Sequence, residues 1–325
     1  MDYRESLSTG PEGSMQAHQV SHFFSAVDVA RRGRWDDDAL RQLAHLAIPE
    51  GLLGPRGNLV RADVTLAQAR WYLEGLVDYA AFEQDESLRF GRLALQLWQA
   101  LVAQNPQIPR DELHEVALKL ATVAWSEVRA RRIRHRARMT LDTRRTLWFR
   151  ELDPRCYLCG YKFTAGARDR FLRRSRSPLT PPPLVDFTRP RTKERHLLIE
   201  IDHMQAVAEG GTNELDNLSL ACGWCNIVKG RRGSIFDVDS RPIGMLDHPT
   251  LGWLSVPQPM WVLRIVSMRG RCEHPSGCSA NLANSELLVA PYSSRGALNP
   301  ANTLVFCGEH DPWKDERLIS RTLVV

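Results

Sequence analysis

The sequence predicts an α+β protein: an N-terminal all-α helical domain, then a zinc-stapled finger of two strands and a helix, then a second, degenerate zinc finger copy. Three observations predict it. Apolar residues recur at three- and four-residue spacing through most of the first 138 positions. Two C-x2-C knuckles, Cys156/Cys159 and Cys222/Cys225, bracket a strand-like run. A shift of 85 residues then lays the second knuckle and its surroundings onto the C-terminal part of the chain. At 325 residues there is length for two or three modest domains, each with its own core or zinc staple.

Residues 1–14, rich in Gly, Ser and charge, read as a disordered tail. In the helical domain, 15–138, the periodicity marks helices over Ser21–Ala30, Asp36–Ala47, Val64–Phe82, Glu86–Ala103 and Asp111–Arg138. The last carries Leu113, Val116, Ala117, Leu120 and Ala124 on one face, follows the breakers Asn105, Pro106 and Pro109, and has Asp111 as its cap. Trp71, Tyr72, Trp98 and Trp125 are assigned to the core. No motif in this domain names a ligand.

The finger is assigned to 139–232. A tetrahedral structural zinc takes four thiolates at about 2.3 Å, which two knuckles supply. Disulfide or redox use of Cys156, Cys159, Cys222 and Cys225 is the alternative. No secretory signal and no apolar run of membrane length is visible, so a reducing, cytoplasmic setting is expected. Between the knuckles, Leu197–Ile201 puts Leu197, Ile199 and Ile201 on one face and reads as a strand ending at Asp202 and His203. Gly210 and Gly211 with Thr212 and Asn213 read as a turn, Asn217–Ala221 as a second strand, and the chain from Cys222 through Trp224, Ile227 and Val228 as a helix.

That order of elements, with the knuckles, the Asp202-His203 pair and the Cys225-Asn226-x-x-Lys229 helix start, resembles the HNH nuclease family, the zinc-bearing branch of the ββα-metal (His-Me) finger endonucleases. The resemblance covers roughly 150–232. It implies that His203 is the general base for the attacking water, since a neutral imidazole accepts a proton near pH 7. It implies that Asp202 and Asn226 ligate one catalytic divalent cation, Mg2+ (or Mn2+), through oxygen atoms. Many family members have a histidine at the Asn226 position, so this chain is similar to the H-N-N variant. Asn217 would hydrogen-bond across the loop and hold the His203 strand, and Glu200 shares the Asp202 face of that strand. Lys229, Arg231 and Arg232 could grip flanking phosphates, or form a solvated basic face.

The remaining cysteines give a second set. Cys272 and Cys278, with Cys307 and His310, would complete another zinc site; His274 is the alternative fourth ligand, and three unrelated cysteines the alternative reading. The 85-residue shift matches Gly211 with Gly296, Asn217 with Asn302, Cys222 with Cys307, Cys225 with His310 and Lys229 with Lys314, and it puts Leu287 and Leu288 where Asp202 and His203 stand. Residues 260–325 are therefore expected to be a catalytically dead copy. From the second cysteine to the matched asparagine the first copy spans 58 residues and the second 24, which locates an insertion at 161–196. Its Pro triplet and polar composition predict an irregular or mobile loop. Residues 233–259 read as a linker, with Asp247 and His248 in a turn.

Charge is unevenly placed. Residues 161–196 hold ten Lys/Arg against three acids, and 129–150 hold nine Arg against one, so 129–196 carries +14 within a chain of net +5. Arg173, Arg174 and Arg176 are the densest group of the insertion. Such a field beside the finger suits a phosphate backbone, with an acidic protein partner as the alternative.

Together these features predict a metal-dependent endonuclease that hydrolyses DNA phosphodiester bonds by a one-metal, histidine-general-base mechanism, in prokaryotic restriction or phage defence, with two structural Zn2+. One finger cuts one strand at a time, so double-strand cleavage would need a homodimer, a partner subunit of a defence system, or two nicks. No membrane partner is expected. The alternative is a non-catalytic zinc-finger nucleic-acid-binding or scaffold subunit of a larger complex. Retention of Asp202, His203, Asn217 and Asn226 together argues against it.

Overall fold

The computed structural model describes residues 17–32, 36–132, 139–205 and 212–324. The expected tail, the tract arginines Arg134, Arg136 and Arg138, and the Gly210-Gly211 turn lie outside the described residues. The N-terminal part is helical: α1 (Ala17–Arg32), α2 (Asp37–Ala44), a 3-10 segment (Glu50–Arg56), α3 (Gly57–Leu76), α4 (Tyr79–Gln84), α5 (Phe90–Gln104) and α6 (Arg110–Arg132). The Asp36 side chain caps α2 by accepting from the Ala39 N–H. The single helix expected over Val64–Phe82 is two, because Val77 is extended and the Asp78 carboxylate restarts the chain as the cap of α4.

Leu93, Leu97 and Leu101 recur every four residues on α5 and are buried against Leu113, Ala117, Ala121, Ala124 and Val128 of α6. Val116, expected on that face, is exposed. Trp98 and Trp125 pack against this core, but Trp71 and Tyr72 do not: they are 69% and 50% exposed. The buried residues of α3 are Asp63 and Leu73, and at 100° per residue Trp71 and Tyr72 turn away from Leu73.

After α7 (Leu141–Phe149), which the sequence reading did not anticipate, come α8 (Ala165–Phe171), β1 (Leu184–Asp186), α9 (Glu194–Leu197), β2 (Ile199–His203), β3 (Leu218–Cys222) and α10 (Gly223–Lys229). Then follow β4 (Gly244–His248), β5 (Gly252–Val256), α11 (Pro259–Arg269), β6 (Leu287–Pro291), β7 (Thr303–Cys307) and β8 (Leu318–Ser320). The strands pair antiparallel as β1-β8, β2-β3, β4-β5 and β6-β7. The stretch expected as a linker thus carries a hairpin, where buried His248 takes the N–H groups of Thr250 and Leu251 on Nδ1 and donates from Nε2 to the Glu316 carbonyl.

The insertion at 161–196 is not a free loop. It holds α8, and its β1 is stitched to β8 near the end of the chain. Arg189 and Arg191 are buried, each bonded to Glu286 at 2.8 and 3.0 Å, so part of the expected basic field is internal ion pairing. Arg173, Arg174 and Arg176 remain exposed.

Both fingers share one apolar core that includes Leu147, Leu220 and Trp224 with Val262, Val289 and Phe306. The helical part docks on the second finger. Arg56 donates to the Thr303 carbonyl and pairs with Glu273; Asp63, fully buried, pairs with Arg264 at 2.8 Å and accepts the Ile235 N–H at 2.8 Å. At Gly54, with φ 58°, a Cβ would stand 1.9 Å from the Ala301 carbonyl oxygen.

The β2-β3 and β6-β7 hairpins each end at a cysteine of a candidate metal group, but their registers differ from a constant shift. His203 pairs with Leu218 and Ile199 with Cys222, whereas Pro291 pairs with Thr303 and Leu287 with Cys307. Matching Cys222 to Cys307 therefore sets Ala290 and Pro291, not Leu287 and Leu288, against Asp202 and His203. The loop between the strands is shorter in the second copy, and a constant shift ignores that.

Candidate functional site

The four thiols Cys156, Cys159, Cys222 and Cys225 are buried, with their sulfurs within 4.8 Å of one another. The first knuckle turns tightly, the Gly160 N–H reaching the Cys156 carbonyl at 2.7 Å, and Tyr157 N–H binds the Leu220 carbonyl of β3 at 3.0 Å. Arg191 donates to the Cys159 sulfur at 3.6 Å. The second group is Cys272, Cys278, Cys307 and His310, again within 4.8 Å. Its separations of 3.8 Å from Cys272 Sγ to His310 Nδ1 and 3.9 Å between the Cys278 and Cys307 sulfurs approach the edge of roughly 3.8 Å in a tetrahedron built on 2.3 Å zinc–sulfur bonds. Both donor sets fit zinc. His274 is not in the second set; its ring stacks on His310 at 4.0 Å.

Asp202 and His203 close β2, and both are buried. Asp202 Oδ2 accepts from the Tyr157 hydroxyl at 2.6 Å and from Lys229 Nζ at 2.6 Å. Its Oδ1 has no hydrogen-bond partner among the described residues. Burial and the adjacent Asp202 push the Tyr157 phenol well above its ordinary range, so it stays a donor. Lys229 also donates to the His203 carbonyl at 2.6 Å. This corrects the expectation that Lys229 grips phosphate, since its ammonium is spent inside the site. Arg231 and Arg232, just past α10, are exposed.

The His203 Nε2 lies 2.8 Å from the Asn213 Oδ1. Asn217 spans the loop: Oδ1 accepts the Gln205 N–H at 2.9 Å, and Nδ2 donates to the carbonyls of Gln205 and Thr212 at 3.1 and 2.8 Å. Asn302 repeats that pattern on Ser293 and Ala297. Asn217 thus braces its loop as Asn302 braces the second, and its side chain reaches His203 only indirectly, through the backbone of Gln205 and Thr212.

Asn226, one residue past the last zinc thiol, donates its amide to Glu200 Oε2, and Glu200 also faces Arg195 at 3.6 Å. The Asn226 Oδ1 remains without a partner among the described residues, and with Asp202 Oδ1 it offers hard oxygen donors of the kind Mg2+ or Mn2+ takes. Two cavities of about 310 and 560 Å³ flank the second finger, both lined by Leu288 and Gly308, and neither includes Asp202 or His203.

Tyr157 and Asn213 were missed from sequence. Tyr157 hides between the knuckle cysteines and Asn213 within a turn, so no spacing rule separates either from scaffold.

Against known families, the HNH endonuclease model matches residues 191–232, which span α9, β2, β3 and α10. An HNH domain is therefore present in the chain. HNH domains are generally nucleases that use divalent metals and act on nucleic acid. No curated protein and no solved structure matches the chain.

Proposed function

We propose that the chain is an endonuclease that hydrolyses DNA phosphodiester bonds by a one-metal mechanism, its β2-β3-α10 unit working as a ββα-metal finger. The observation that carries this is the Asp202-His203 pair, held by separate anchors within the matched HNH segment. With its Nε2 proton fixed on Asn213, His203 keeps the Nδ1 lone pair free to take a proton from the attacking water. Asp202 and Asn226 would hold Mg2+ or Mn2+, which when bound supplies Lewis-acid stabilisation at the phosphate and leaving oxygen. Asn217 fixes the loop that carries Asn213. Arg231, Arg232, Arg173, Arg174 and Arg176, all exposed, contact flanking phosphates.

The two zinc centres are structural, and the second finger, with Ala290 and Pro291 in the catalytic positions, is inert. The setting is prokaryotic restriction or phage defence in the cytoplasm, with a homodimer or partner subunit completing double-strand cleavage; this part rests on family-level analogy. The test is plasmid cleavage by purified protein with Mg2+, Mn2+ or chelator. Wild type should nick or cut in a metal-dependent way and His203→Ala should not. Equal inertness of both across metals and DNA forms would favour a zinc-finger scaffold instead.

A further inference from the structure

We propose that Tyr157 is a positioning residue for the catalytic cation: through its hydroxyl on Asp202 Oδ2, the first zinc knuckle aims Asp202 Oδ1 at the metal. The inference rests on the cation site proposed above. Three observations support it.

Tyr157 lies between two zinc ligands, its backbone tied to β3 at Leu220, so the knuckle fixes where its ring can point. Its hydroxyl meets both Asp202 Oδ2, at 2.6 Å, and Lys229 Nζ, at 3.0 Å, which closes a triangle with the 2.6 Å Lys229–Asp202 ion pair. One carboxylate oxygen is thereby saturated by two donors and the other is left for a cation. An unanchored aspartate would have to order its side chain on binding, whereas this one is already ordered.

The second finger supplies the internal control. There the N–H that binds the β7 carbonyl of Val305, as Tyr157 N–H binds Leu220, belongs to Glu273, which pairs with Arg56 and Arg269. Ala290 stands in the Asp202 register, and Lys314 turns to Glu309 at 3.0 Å. The tyrosine and the aspartate are replaced and the lysine is kept but turned away, while the zinc ligands and the Asn302 brace remain. Tyr157 therefore sorts with Asp202 rather than with the scaffold.

The experiment is Mn2+ binding to zinc-loaded protein without nucleic acid, read by the EPR signal of free Mn2+, for wild type, Asp202→Ala, Tyr157→Phe and Tyr161→Phe. Tyr157→Phe should weaken Mn2+ roughly 10-fold, in the range for residues behind metal ligands, with two zinc retained. Cleavage by this variant should recover at high Mn2+, a rescue that a misfolded finger would not show. Tyr161→Phe, beside the same knuckle but with its ring against Arg191 and Phe163, should bind as wild type. If wild type binds Mn2+ in an Asp202-dependent way and Tyr157→Phe binds equally well, the positioning role is wrong while the cation site stands. If Asp202→Ala binds Mn2+ like wild type, or wild type binds none, the cation site itself is wrong and this inference goes with it.

Discussion

The amide oxygen of Asn213 sits 2.8 Å from Nε2 of His203. An amide oxygen only accepts, so the imidazole carries its neutral-state proton on Nε2 and its lone pair on Nδ1. On the proposed mechanism, Asn213 therefore chooses which nitrogen acts as base.

Replacing Asn213 by Ala should lower the cleavage rate roughly 10-fold, since the base remains but its tautomer is no longer held. Asn213→Asp gives a sharper test. A carboxylate beside the ring favours the charged imidazolium over the neutral base, so the rate near neutral pH should fall further and recover as the pH is raised. A profile superimposable on wild type would remove Asn213 from the mechanism.

Zinc content should be near two per chain. Cys225→Ser should bring it toward one and lower the melting temperature sharply, because Cys225 is buried in the core both fingers share. His310→Ala should also lower the ratio toward one, whereas His274→Ala should leave it near two, because His274 stacks on the ligand ring without joining the set. Metal analysis of the purified variants decides this.

Cysteine spacing revealed both zinc groups because four ligands around one ion impose a local rule that the sequence must obey. The Asp202-His203 pair was legible because it ends a strand within that rule. Long-range docking left no such trace: nothing near Asp63, Arg56 or Gly54 announces that they meet the second finger some 200 residues away. The register of the second copy was misread because a three-residue change in loop length is invisible to a constant shift. The insertion looked mobile because its prolines were legible and the β8 partner of β1 was not.

The docking of the helical part depends on Asp63. Asp63→Ala removes a fully buried carboxylate from both of its partners, leaving the Ile235 N–H unsatisfied and Arg264 unpaired. Because Arg264 keeps some contact with solvent, a loss of about 3 kcal/mol is expected, at the low end for breaking a buried pair. Chemical denaturation measures it. Adding Arg264→Met should recover part of the loss, and if the two substitutions were simply additive the pair would not be a coupled unit.

Substitutions at Arg173 should separate stability from the proposed nucleic-acid binding. It is a non-glycine residue at positive φ, 58°, just past α8, where Arg174 N–H reaches back to the Asp169 carbonyl at 2.7 Å. That left-handed position ordinarily belongs to glycine, and an arginine there carries a conformational cost of roughly 1 kcal/mol. Its side chain is exposed, so no packing recovers the cost. Arg173→Gly should therefore raise unfolding stability by about 0.5 kcal/mol, the gain reduced by the greater freedom of glycine in the unfolded chain. The same change should weaken DNA binding and reduce the slope of log K against log salt by about one. Arg173→Ala should lose the binding without gaining stability. Denaturation and salt-titrated binding of the two variants provide the comparison, and an unchanged salt slope in both would take Arg173 out of the nucleic-acid surface.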